Sequence, residues 1–230
     1  MALTETTRTQ AAAIAARYPQ SRSALLPLLH LVQADEGVVS AAGIALCAEV
    51  MGLTTAEVAA VATFYTMYKR RPVGTHHIGV CTNTLCGLLG GDDVYRALSD
   101  RLGIGHDEST ADGSFTLEHI ECQAACTHAP VMTVDWEFVD RVTVSDALDV
   151  VDRLARGEQV QSTRGPAIRD FVATERTLAG FDDDGLAAAG GAADDLMLAG
   201  LRRAKALGQS APAMPGQSST AAPATSAEGS

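Results

Sequence analysis

Apolar residues recur at helical spacing through the first third of the chain. Alanines and Ile14 predict a short helix from Thr9 to Arg17, ended by Tyr18-Pro19. Leu25, Leu28, Leu29 and Val32 form the next stripe, with Ser21 or Ser23 as its cap. Pro27 falls near the first turn of that helix, where a missing N–H costs little, and Asp35-Glu36-Gly37 closes it. Ser40 opens a third helix bearing Ile44, Cys47 and Met51, which Gly52 stops. Thr54-Thr55-Ala56-Glu57 reads as a capping box before Val58, Val61 and Tyr65. Residues 9–70 therefore predict a small helical bundle.

The pattern breaks at Lys69-Arg70-Arg71-Pro72, the densest basic cluster in the sequence, which reads as a solvated hinge with a docking contact as the alternative. His76 to Val80 then predicts a strand. Asp92 or Asp93 caps a helix through Val94, Leu98 and Leu102, and His106 to Ser114 is a polar loop. Phe115 to Glu121 alternates apolar and polar, as a half-buried strand does. Val131 to Val134 forms another strand, with Pro130 as a cis proline or a strand-entry device, and Glu137 to Val144 pairs as the last. Ser145 caps a helix with Ala147, Leu148, Val151 and Leu154. This order predicts an α+β fold with helices on a short sheet.

Beyond Ser162 the globular signal weakens. Arg169 to Phe181 reads as a helix or docked arm, and Asp182-Asp183-Asp184 introduces a glycine–alanine stretch. Leu196, Leu198, Leu201 and Leu207 predict one more helix, capped by Asp194 or Asp195. The expected division is a helical bundle at 1–72, a sheet domain at 73–160, a partly docked arm at 161–208 and a disordered, largely irregular tail at 209–230.

Composition narrows the function. The net charge of −11 over 230 residues disfavours nucleic acid as a partner. No basic-then-apolar signal and no apolar run of spanning length is present, so a cytoplasmic or peripheral protein is expected. Five cysteines, an odd number, point to thiolate chemistry rather than a disulfide framework.

Four of them form two pairs, Cys81-Thr-Asn-Thr-Leu-Cys86 and Cys122-Gln-Ala-Ala-Cys126, each following a strand-like run. Thiolates are soft ligands that suit Zn²⁺ or an iron–sulfur cluster, and a [2Fe–2S] rhomb takes two cysteines per iron. The gaps of four and three residues exclude C-x-x-C but leave iron–sulfur and structural zinc both open, with disulfides third. Gly87-Leu88-Leu89-Gly90-Gly91 lacks the Gly-Lys-Ser/Thr ending of a phosphate loop; its glycines read as room for backbone amides near sulfur. Cys47 reads as a buried free thiol in the bundle, and Phe64, Tyr65 and Tyr68 as core, with a partner-facing tyrosine as the alternative. His128 lies two residues past Cys126 and reads as a neighbour of the site or a surface residue rather than a ligand; His76, His77, His106 and His119 read as surface or strand residues. No nucleophile–base spacing names a catalytic triad.

A family resemblance separates the metals. Arg17-Tyr18-Pro19, Ser23 to Leu31, Val61 to Tyr68, Pro72-Val73-Gly74, Val80 to Asn83, Asp112 to Leu117 and Cys122 to Pro130 resemble, in order, the 24 kDa subunit of NADH:quinone oxidoreductase, respiratory complex I. The resemblance implies a thioredoxin-like domain on which Cys81, Cys86, Cys122 and Cys126 bind one [2Fe–2S] cluster. It implies electron exchange with the FMN of a neighbouring NADH-oxidising subunit, no complete active site in this chain alone, and a place in a peripheral arm on the inner face of the cell membrane. Ala124, Thr127 and His128 stand where the family often has glycine. The alternatives are the equivalent diaphorase subunit of an NAD-linked hydrogenase or formate dehydrogenase, and, in another class, a structural zinc-binding interaction module.

Overall fold

The computed structural model describes residues 3–181, 191 and 193–210. Compactness divides the chain into Met1–Ala192 and Ala193–Ser230. The acidic run at 182–184 and, apart from Gln209 and Ser210, the tail expected to be disordered lie outside the described residues.

Within the first unit, α1 (Glu5–Ala15), α2 (Leu25–Glu36), α3 (Ala41–Met51) and α4 (Thr55–Phe64) enclose one core. α1 begins earlier than expected because Thr4 is a better cap than anything downstream: its hydroxyl accepts from the Thr7 amide at 3.1 Å. Neither Ser21 nor Ser23 caps α2. A 3₁₀ turn at Ser21–Ala24 runs straight into Leu25, so the backbone is already helical where a cap would stand. Ser40 and the Thr54–Glu57 capping box start α3 and α4 as expected. Leu28, Leu29, Leu31 and Val32 pack on Ile14, Leu46, Cys47 and Val58. A Cβ at Gly43 would stand 2.1 Å from Val32 Cγ1, so glycine is what lets α3 approach α2.

A five-stranded sheet follows. β1 (His76–Cys81), β2 (Glu108–Ser109), β3 (Phe115–Ile120), β4 (Val131–Val134) and β5 (Glu137–Asp140) lie in the order β2-β3-β1-β4-β5. Only β1 and β3 run parallel, joined through α5 (Thr84–Leu88) and α6 (Gly91–Leu102). Neither Asp92 nor Asp93 caps α6; Gly90 precedes it and both carboxylates sit in its first turn, favourable for the helix dipole. The last strand stops at Asp140, and α7 (Val144–Ala155) is capped by Thr143 with Asp146, not by Ser145. The Ala129–Pro130 bond is cis.

Strand alternation splits the sheet chemically. Ile78, Val80, Phe115, Leu117, Met132 and Val134 form one face, covered by Val94 and Leu98 of α6 and Ala147, Val151 and Leu154 of α7. His77, Gly79 and Cys81 have the opposite parity on β1, as do Thr116, Glu118 and Ile120 on β3. The expected arm contains α8 (Phe171–Leu178), capped by Asp170; its Phe171 amide donates to Thr75 O at 2.9 Å, and Glu175 reaches α2. In the second unit, α9 (Ala199–Ala206) follows Leu198 with no side-chain cap, while Asp194 Oδ1 accepts from the Met197 amide at 2.9 Å. No single described helix is long and apolar enough to cross a membrane; α3 and α4 pass only as a pair bent by 120°.

Candidate metal centre

Two turns meet at one end of the sheet. Cys81 is the last residue of β1, and the parallel register sets it beside Ile120 of β3, two residues before Cys122. Cys86 follows on α5. Cys81 and Cys86 are buried at 1% and 3% exposure, whereas Cys122 and Cys126 are exposed. The Sγ atoms of Cys122 and Cys126 lie 3.6 Å apart. Ile120, Ala125 and Val131 pack with the buried pair as an apolar floor.

Local backbone chemistry holds the turns. Asn83 Nδ2 donates to Ile120 O at 3.2 Å, tying the first cysteine turn to the strand that delivers the second. A Cβ on Gly91 would stand 2.5 Å from Cys81 O and 2.9 Å from Cys86 O, so the close approach is to the two cysteine carbonyls, where amides near sulfur were expected. Between Cys122 and Cys126, Ala124 sits at φ +54°, the left-handed region where glycine is unstrained.

The model of the thioredoxin-like [2Fe–2S] ferredoxins matches residues 11–155. The chain belongs to this ferredoxin family. Among curated relatives, a subunit of NADH-quinone oxidoreductase from Mycobacterium tuberculosis is 50% identical over 203 residues, 88% of this chain and 81% of the relative. The Rickettsia bellii protein of the same name is 38% identical over 141 residues, 60% of this chain and 84% of the relative. Among solved structures, an air-oxidised NAD⁺-reducing [NiFe]-hydrogenase superposes with a TM-score of 0.51 at 19% identity, over 58% of this chain. The match spans 23% of that hydrogenase chain, and the likeness is one of fold.

The four cysteines offer a donor set that suits the family's cofactor. Burial pushes the Cys86 thiol up to about 11, the neighbouring Cys81 thiol adds to it, and the Val131 amide opposes. Cys126 is raised first by Cys122, with Cys81 contributing across the site. Thiolates this crowded repel one another unless a cation sits between them, and metal binding displaces their protons. Among the described residues, no three His, Cys, Asp or Glu side chains gather as they would around one ion. Two pairs of thiolates suit two irons or one tetrahedral zinc, and the matched family is the one named for a [2Fe–2S] cluster.

Cys47 is fully buried in the bundle core, where desolvation pushes its thiol up to about 12. His128 is buried rather than on the surface, with Nδ1 2.9 Å from Thr127 Oγ1. His77 is not a surface residue either: at 0% exposure its Nε2 lies 2.8 Å from Glu118 Oε2, and Lys69 pairs with the same carboxylate. Burial raises Glu118, but His77 and Lys69 outweigh it and hold it at about 2. Burial lowers His77, against the pull of Glu118. Beside them Asp135 is driven up to about 6 by burial, although His76 Nδ1 lies 2.6 Å away and the His77 amide donates to it at 2.8 Å. This polar seam had no signature in the sequence, because its partners are 41 to 59 residues apart.

Proposed function

We propose that this chain is the electron-transfer subunit of an NADH:quinone oxidoreductase, with Cys81, Cys86, Cys122 and Cys126 holding one [2Fe–2S] cluster. The convergence of both cysteine turns at the end of the β1–β3 pair carries the assignment. The half-identical NADH-quinone oxidoreductase relatives, aligned over 88% of the chain, support this oxidoreductase over a hydrogenase-type diaphorase.

When bound, such a cluster takes up and returns a single electron. The four thiolates would neutralise part of the iron charge, and Ile120, Ala125 and Val131 keep water from the buried side. Cys122 and Cys126, on the exposed side, are where a redox partner has access. That partner is the flavin-bearing, NADH-oxidising subunit, so FMN, NADH and the hydride chemistry lie outside this chain. Electron flow to quinone, the coupled translocation, other peripheral-arm subunits and the inner face of the cell membrane belong to the assembled complex, which this chain joins without inserting in the bilayer.

The test is the full chain produced with iron and sulfide. About two irons and two sulfides per chain, a reddish-brown colour and an EPR signal on dithionite reduction are expected. A colourless protein holding one tight zinc would replace this reading with a structural zinc module, and co-purification with a hydrogenase or formate dehydrogenase would move it to those enzymes.

A further inference from the structure

The chain contains one tryptophan, four tyrosines and five phenylalanines, yet two adjacent aromatics at the end of α4 stand in the open. Phe64 is 77% exposed and Tyr65 41%. They are not loose. Their rings meet edge-on at 4.9 Å, and Tyr65 meets Tyr68 edge-on at 6.3 Å. Tyr68 is buried, its hydroxyl donating to Leu26 O at 3.0 Å. The pair is therefore held in place, and covering it costs little side-chain entropy.

A cleft of about 490 Å³ opens beside Tyr65, with Thr66, Arg70, Arg71 and His106 on its walls. Its floor is the Lys69–Glu118 pair, already neutralised. Its lip is more open. Arg71, 78% exposed, makes a long surface pair with Asp107 at 3.6 Å, and Arg70 is exposed, with no carboxylate partner among the described residues. So a basic lip on a protein of net charge −11 adjoins an exposed aromatic pair. Two arginines are too few to hold an anionic membrane or a nucleic acid against that charge. Rigid aromatics with arginine are instead the anchors that dominate protein–protein contacts.

The cleft also adjoins the cysteine end of β3. Its wall residue His106 meets His119, three residues before Cys122, with the rings tilted by 32° and their centroids 3.9 Å apart. Its floor residue Glu118 stands on β3 four residues before Cys122, at most about 14 Å of backbone away. A subunit seated over the exposed thiol pair therefore reaches the cleft.

We propose that this cleft is a second anchor for the flavin-bearing subunit, which inserts an acidic segment with an apolar side chain against Phe64 and Tyr65 and sets its carboxylates on Arg70 and Arg71. This rests on the electron-transfer reading above. Phe64→Ala and the double change Arg70→Glu/Arg71→Glu test it in the full, cluster-loaded chain, by calorimetric titration with the purified flavin-bearing subunit. At least tenfold weaker binding by each variant is expected, with iron content and EPR signal as in the wild type. The charge reversal should also flatten the salt dependence of binding. Undiminished binding by both variants overturns the anchor and leaves the electron-transfer reading standing. Failure of the wild type to bind the flavin-bearing subunit overturns both.

Discussion

Glu175, wholly buried on α8, holds His30 of α2 with Oε2 2.6 Å from Nδ1. Its other oxygen accepts from Trp136 Nε1 at 2.9 Å. One carboxylate thus joins the helical core to the β4–β5 turn, where Asp135 and Trp136 both take positive φ. Glu175→Ala would leave buried His30 and half-buried Trp136 without this partner, at a cost of about 3 kcal/mol. Urea unfolding checks the loss. Trp136 is the only tryptophan, so its fluorescence reports the loss of this contact directly.

Stability should respond to acid through opposed groups. Glu118, held at about 2, contributes stability that is full above its unfolded value of 4.5 and lost as pH falls from there towards 2. Asp135 has the opposite sign: raised from 3.8 to about 6, its contribution is full below 3.8 and lost as pH rises through 6. Denaturant curves should therefore show Glu118→Gln less stable than wild type at pH 7, by about 3 kcal/mol, with the gap closing between pH 4.5 and 2. Asp135→Asn should gain on the wild type as pH rises from 3.8 to 6 and hold a constant difference above that window.

Ala124 carries a left-handed backbone that costs about 1 kcal/mol with a Cβ present. Ala124→Gly should remove that strain but add glycine's larger unfolded-state entropy, leaving a net gain of at most about 0.6 kcal/mol in thermal unfolding. Iron content should be unchanged.

Cys81→Ser and Cys122→Ser should abolish the reduced-state EPR signal, and Cys47→Ala should keep it. Gly91→Ala should behave like a ligand loss although it removes no sulfur, because its methyl would stand 2.5 Å from Cys81 O. Retention of the signal in Gly91→Ala would show that the turn shifts without disturbing the cysteines.

Much of this was legible in the sequence for local reasons. Ser40 and the Thr54–Glu57 box cap helices with partners three residues away, and Phe115–Ile120 carries its strand signal within itself. Thr143 was missed in favour of Ser145 because both are good caps, and only the reciprocal bond from Asp146 decides between them. The cysteine pairs were visible, and their convergence was not: it depends on β1 pairing with β3, separated by a helical crossover, in a register no local pattern fixes. His77 lies on a strand, one of the two places its sequence context allows, but its burial was not legible: β1 is buried along nearly its whole length, so a polar residue in it gives no sign of which side it serves.

The β1–β3 register also has a consequence for biogenesis. As the polypeptide leaves the ribosome, the first half of the cysteine set emerges well before the second, and the two meet only when β3 has threaded alongside β1. On the proposed assignment, inorganic iron and sulfide would have no four-cysteine receptor until residue 126 is out, and maturation of the cofactor would follow translation of this region.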